Sequence, residues 1–84
     1  KRHISNYFEI NESENKDIKD GINHMKKLLD ELYKPNGYNI GINNGSAAGQ
    51  SIMHLHVHLI PRYNDDVKNP RGGIRGVIPE KRNY

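Results

Sequence analysis

The sequence predicts a small α+β domain in which one main helix packs on an antiparallel β-sheet. Three observations lead there. Apolar residues recur at helical spacing between positions 18 and 32. Two segments, 38–43 and 51–60, alternate apolar with polar or small residues. A loop of small residues joins them, as in a hairpin with a wide connection. At 84 residues the chain holds one domain at most, and we read 1–84 as that domain with 62–84 as its tail.

The helix is the most regular feature. Ile18, Ile22, Met25, Leu29 and Leu32 follow one another at steps of four, three, four and three, which is one helical stripe facing a core. Asn11 is positioned to cap it, and Glu14 three residues on completes a capping box. Lys26, Lys27 and Lys34 suit the negative end of the helix dipole. Pro35-Asn36-Gly37 ends it. His24 is expected at the surface. Before the helix, Lys1 to Ser5 reads as the end of a strand, with Tyr7, Phe8 and Ile10 as anchors.

In the second alternating segment, His54, His56 and His58 fall at every second position. A strand sends successive side chains to opposite faces. The three imidazoles therefore share one face, while Met53, Leu55, Val57 and Leu59 share the other. At about 3.3 Å per residue the outer two rings stand about 13 Å apart, too far for both to bind one zinc ion at about 2.0–2.1 Å. A row this long suits an elongated anion such as a polyphosphate. The loop 44–50 carries two glycines, and glycines let backbone N–H groups approach an anion.

Composition narrows the field. Only 33% of residues are hydrophobic, so the core is thin and help from oligomerisation or from missing chain is expected. There is no cysteine, which excludes a disulfide scaffold, a thiol nucleophile and Cys-ligated zinc. No apolar run reaches the length of a membrane span or signal peptide, so a cytoplasmic protein without membrane partners is expected. Residues 1–34 balance seven basic against seven acidic side chains, 35–61 carry none of either, and 62–84 carry six basic and three acidic. An uncharged centre beside a basic tail fits an anion-handling site; buried sheet has the same composition. Arg71 and Arg75 are candidates for phosphate contact or for plain solvated charge. Ile74 to Ile78 reads as a short edge strand.

Three histidines on one face have three uses. They can supply zinc ligands, as His54-His56 or His56-His58, with a third ligand from elsewhere, although no carboxylate lies in this stretch. They can form a hydrogen-bonded ladder in a core. Or they can perform nucleophilic catalysis at phosphorus, because imidazole titrates close to neutrality and its neutral form attacks well.

The run Gly49-Gln50-Ser51-Ile52-Met53-His54-Leu55-His56-Val57-His58-Leu59-Ile60-Pro61 resembles the signature of the histidine triad (HIT) family, His-φ-His-φ-His-φ-φ, with φ apolar. Asn43-Asn44-Gly45 and Lys1-Arg2-His3-Ile4-Ser5 are similar to family stretches as well. The Asn69-Pro70-Arg71-Gly72-Gly73 tail resembles that of bacterial and archaeal diadenosine polyphosphate hydrolase-like members.

The resemblance implies a nucleotide hydrolase or transferase acting at an α-phosphate, on dinucleoside polyphosphates or nucleoside phosphoramidates. His56 would be the nucleophile and carry a nucleotidyl-histidine intermediate, with His58 on the phosphate oxygens. His54 and His3 would orient the site and manage the leaving group's proton. Asn43, Gln50 and Ser51 would hold the phosphates. No cofactor and no metal are implied, and a homodimer is. Alternatives are a non-catalytic nucleotide-binding module, or removal of adenylate from nucleic-acid 5′ ends. The modest charge of +3 and the lack of aromatic-basic interleaving weigh against nucleic acid as a partner. The start at Lys1 leads us to expect that the N-terminal part of the domain, with its nucleoside pocket, is absent.

Overall fold

Helix α1 spans Glu12–Tyr33 and begins as the sequence predicts. The Asn11 side chain accepts from the Glu14 N–H and the Glu14 carboxylate accepts from the Asn11 N–H, each at 2.8 Å. Two of the amides that a helix start leaves unpaired are thereby satisfied. At the other end Lys34 adopts a left-handed φ of 47°, and its ammonium donates to the Glu31 carbonyl. The computed structural model describes residues 3–82. The reading of Lys1 and Arg2 as the end of a strand lies outside that range, and His3 to Ser5 are not in a strand.

Strands β1 (Gly37–Gly41) and β2 (His58–Arg62) pair antiparallel, with Gly41 opposite His58 and Gly37 opposite Arg62. Both expected strands are corrected. The first ends two residues early. The second begins at His58 rather than Ser51 and runs on to Arg62. The cause lies in the connection. Ser46–Ala48 form a 3₁₀ turn, a bend covers residues 52–54, and the Leu55 N–H donates to the Ile4 carbonyl at 2.7 Å rather than to β1. Met53 falls in that bend and is half exposed, so it does not join the apolar face.

Residues opposite each other in the ladder share a face. Leu59 and Ile40 lie on the side toward α1, as do Pro61 and Tyr38. Ile18, Ile22 and Met25 of the helix line a shared cleft with Val57 and Leu59 there, and the Tyr38 hydroxyl donates to the Asp30 carboxylate at 2.6 Å. Burial together with that carboxylate pushes the Tyr38 phenol up to about 12. His58, Ile60 and Arg62 lie on the opposite side with Gly41 and Asn39. The helical stripe is only partly covered: Ile18, Ile22 and Leu29 are half-buried, Met25 and Leu32 exposed. No hydrophobic side chain among the described residues is fully buried. The radius of gyration is 14.7 Å, against about 12 Å for a compact chain of this length. Helix and hairpin form an open arrangement.

The tail is not a strand. Gly73–Val77 and Pro79–Lys81 are 3₁₀ turns, entered through left-handed φ values at Gly72 and Gly73. The Arg82 guanidinium closes the turn on the carbonyls of Asn69 and Arg71, and Arg75 donates to the Lys81 carbonyl. Ile74 lies against β1 at Gly41, where its Cδ1 would stand 3.7 Å from a Cβ, an ordinary contact distance. Beside this contact Arg62 donates to Asp66 through two nitrogens, at 2.7 and 2.8 Å, and to the Asn39 side chain.

Candidate functional site

The histidine row survives the loss of regular strand. His54, His56 and His58 are all exposed, whereas Leu55, Val57 and Leu59 between them are half-buried. The backbone stays extended enough to alternate without a ladder partner at 54–57. The rings of His54 and His56 pack edge-on, with centroids 5.2 Å apart. His54 also meets His3: Nε2 of His3 lies 3.1 Å from Nδ1 of His54, and the ring centroids are 5.1 Å apart.

All three triad histidines open onto one cleft of about 170 Å³, walled by Asn43, Gln50 and Ser51 together with Gly49 and Ile52. No carboxylate and no lysine or arginine lines it. An anion entering it meets imidazoles, an amide and a hydroxyl, with no like charge to repel it. Neither the hydroxyl nor the N–H of Ser51 has a hydrogen-bond partner among the described residues, which leaves both available to a ligand. Arg71 and Arg75 are not part of this wall. Among the described residues no three His, Cys, Asp or Glu side chains converge as a metal site.

Four of the seven amides of loop 44–50 are spent within the loop rather than offered to an anion. Gly45 and Gly49 take φ values of 92° and 97°, but the amides they free turn inward. Ala48 and Gln50 donate to the Gly45 carbonyl, and Gly49 donates to that of Ser46, all at 3.0–3.1 Å. The Gly45 N–H donates to Gln50 Oε1 at 2.7 Å, and Gln50 Nε2 donates to the Ser5 carbonyl at 2.9 Å. Gln50 thus lines the cleft while its carboxamide is engaged elsewhere. Asn44, singled out only as part of a family-like stretch, accepts the Tyr7 N–H at 2.7 Å. Its Asn neighbour at 43 faces the cleft, and a one-residue step separates the two roles. The family resemblance assigned Asn43 to the phosphates, whereas nothing in the sequence marked Asn44 as the partner of Tyr7.

The HIT domain family profile matches residues 1–65. The chain belongs to the HIT domain family. A HIT-like protein of Methanocaldococcus jannaschii is 40% identical over 68 residues, 79% of this chain and 50% of that protein. An AP-4-A phosphorylase of Mycobacterium tuberculosis is 30% identical over 82 residues, 94% of this chain and 42% of the relative. A Schizosaccharomyces pombe protein named as an asymmetrical bis(5'-nucleosyl)-tetraphosphatase is 31% identical over 65 residues, 77% of this chain and 36% of its own length. The crystal structure of a HIT family member from Bacillus subtilis superposes with a TM-score of 0.67 at 29% identity, covering 95% of this chain and 67% of that one. The α+β fold is therefore that of the HIT family. The chain spans half or less of the length of these curated relatives.

Proposed function

We propose that this HIT domain serves a nucleotide hydrolase or transferase acting at an α-phosphate, with His56 as the nucleophile. The observation that carries the reading is the cleft itself: three imidazoles in a row open onto a space with no carboxylate in its walls. His56 is the middle ring, so a phosphorus atom in front of it has an imidazole on either side.

A lone pair on a His56 ring nitrogen attacks the α-phosphorus. A P–N bond to His56 forms as the bond from phosphorus to the leaving oxygen of a polyphosphate, or to the leaving nitrogen of a phosphoramidate, breaks, and the leaving atom takes up a proton from the site. Water then attacks the same phosphorus and returns a proton to the site, the P–N bond to His56 breaks, and the mononucleotide leaves with His56 restored. His58 and the Ser51 hydroxyl and N–H stabilise charge on the phosphoryl oxygens. Asn43 hydrogen-bonds the phosphate chain. His54, supported by His3, orients the row and supplies the leaving group's proton.

Dinucleoside polyphosphates and nucleoside phosphoramidates are the proposed substrates. The relatives named as AP-4-A phosphorylase and bis(5'-nucleosyl)-tetraphosphatase support the first class. No helix among the described residues is long and apolar enough to cross a membrane, and the cytoplasm is the proposed compartment. A homodimer is part of the reading: among the described residues β1 is hydrogen-bonded along one edge only, and Ile40 on it is half exposed.

The test is chemical trapping. Diadenosine tetraphosphate labelled at the α-phosphorus is mixed with the protein, quenched, and the protein analysed for acid-labile label on histidine. Label on His56, lost together with turnover in His56→Asn, is the expected result. Undiminished turnover in that variant overturns the mechanism, and binding without trapped label or product indicates a nucleotide-binding module instead.

A further inference from the structure

We infer that Gln50 acts as a positioning residue, tying the front segment that carries His3 to the wall of the triad cleft, and that it is not itself a phosphate ligand. Gln50 is the one buried polar side chain among the described residues, 8% exposed, and no hydrophobic side chain among them is buried. Both ends of its carboxamide are used. Oε1 accepts the Gly45 N–H at 2.7 Å, and Nε2 donates to the Ser5 carbonyl, 45 positions away, at 2.9 Å. The orientation of the amide is forced, since an N–H requires an acceptor and a carbonyl a donor.

The consequence reaches the catalytic row through short steps. The segment from His3 to Tyr7 is held by three bonds: Ile4 O to Leu55 N–H, Ser5 O to Gln50, and Tyr7 N–H to Asn44. His3 lies two residues from the Gln50 tie, and its Nε2 stands 3.1 Å from His54 Nδ1. A hydrogen bond of this length weakens steeply with small displacements. On the other side, Gln50 N–H donates to the Gly45 carbonyl, so residue 50 is clamped by backbone and side chain together. That holds the adjacent Ser51 at the cleft. One amide therefore sets two walls of the site at once.

The experiment uses nuclear magnetic resonance on the wild-type chain and on Gln50→Met and Gln50→Glu. Methionine keeps the length and removes both bonds; glutamate still accepts from Gly45 but cannot donate to Ser5 when ionised. Three results are expected. Contacts between the ring protons of His3 and His54 weaken in both variants. Exchange of the Gly45 amide accelerates in Gln50→Met. The wild-type Gln50 side-chain amide resonance stays in place on titration with inorganic phosphate. Intact ring contacts in a folded variant, or a phosphate-induced shift of that amide resonance, overturn the inference. The wild-type titration decides the matter if neither variant folds.

The kinetic arm rests on the proposed hydrolase reading. There kcat falls about tenfold or more, by analogy with loss of an outer partner of a metal-bound histidine, while KM stays within about twofold. A raised KM at unchanged kcat marks a direct substrate contact and overturns the inference. A chain without turnover would defeat the hydrolase reading and leave the ring-contact measurement to judge Gln50.

Discussion

His3 Nε2 lies 3.1 Å from His54 Nδ1, so two residues 51 positions apart in the chain share one hydrogen bond. Such a bond needs an N–H on one ring and a lone pair on the other. It engages one nitrogen of His54 and leaves Nε2 of that ring without a partner among the described residues. The edge-on packing of His54 against His56 carries this orientation to the middle of the row.

Replacing His3 by Ala frees the His54 ring to rotate. With the domain acting as the proposed hydrolase, kcat is expected to fall about 10- to 100-fold, by analogy with the outer partners of metal-bound histidines. The protein stays folded, because His3 is exposed. Steady-state kinetics alongside circular dichroism check both halves. Unchanged kcat would separate His3 from the site.

Asn11→Ala removes the side-chain oxygen that accepts the Glu14 N–H. Loss of a helix cap costs about 1 kcal/mol, which in a domain of this size lowers Tm by about 4–8 °C. Asn11→Asp keeps an acceptor and should melt close to the wild type. A thermal melt of the three proteins decides it.

The Arg62 guanidinium beside Asp66, helped by the Tyr63 N–H, holds the Asp66 carboxyl well below its ordinary 3.8. A carboxyl depressed in the folded state adds stability that is fully present above its unfolded value and is lost as pH falls toward the folded one. The wild type is therefore expected to lose stability below about pH 4, and Asp66→Asn to be less stable at neutral pH with a shallower acid limb. Urea unfolding at a series of pH values measures this. Parallel acid limbs in the two proteins would contradict it.

Gly72→Ala meets two obstacles. Its φ is +92°, and a Cβ there runs into the Arg82 carbonyl oxygen. The backbone strain alone is worth about 1–3 kcal/mol, so the tail should detach from β1. Faster amide exchange around Ile74 and Arg75 is expected, with α1 unaffected. Gly21→Ala is the control: it meets no neighbouring atom within 4 Å and should raise helix stability.

The helix was legible almost to the residue, since Asn11, Glu14 and Pro35 act within one turn of where they stand in the chain. The hairpin was legible in kind and its ends were not. Alternation at 51–57 looks the same whether or not a partner strand runs beside it. Here Leu55 bonds to Ile4 in place of β1. The tail misled for a related reason. Ile74, Val77 and Ile78 offer strand-like residues, but Gly72-Gly73 and the Arg82 clasp turn them into 3₁₀ structure.

What the sequence determined by itself was the sidedness of the histidine row and the cap-to-cap extent of α1, because both follow from backbone periods of two and 3.6 residues. The tertiary structure alone decided that His3 Nε2 bonds to Nδ1 of His54, that Asn44 holds the Tyr7 N–H, and that the Gln50 amide points into the protein. Each of these depends on a contact between segments far apart in the chain, and local spacing carries no record of such a meeting.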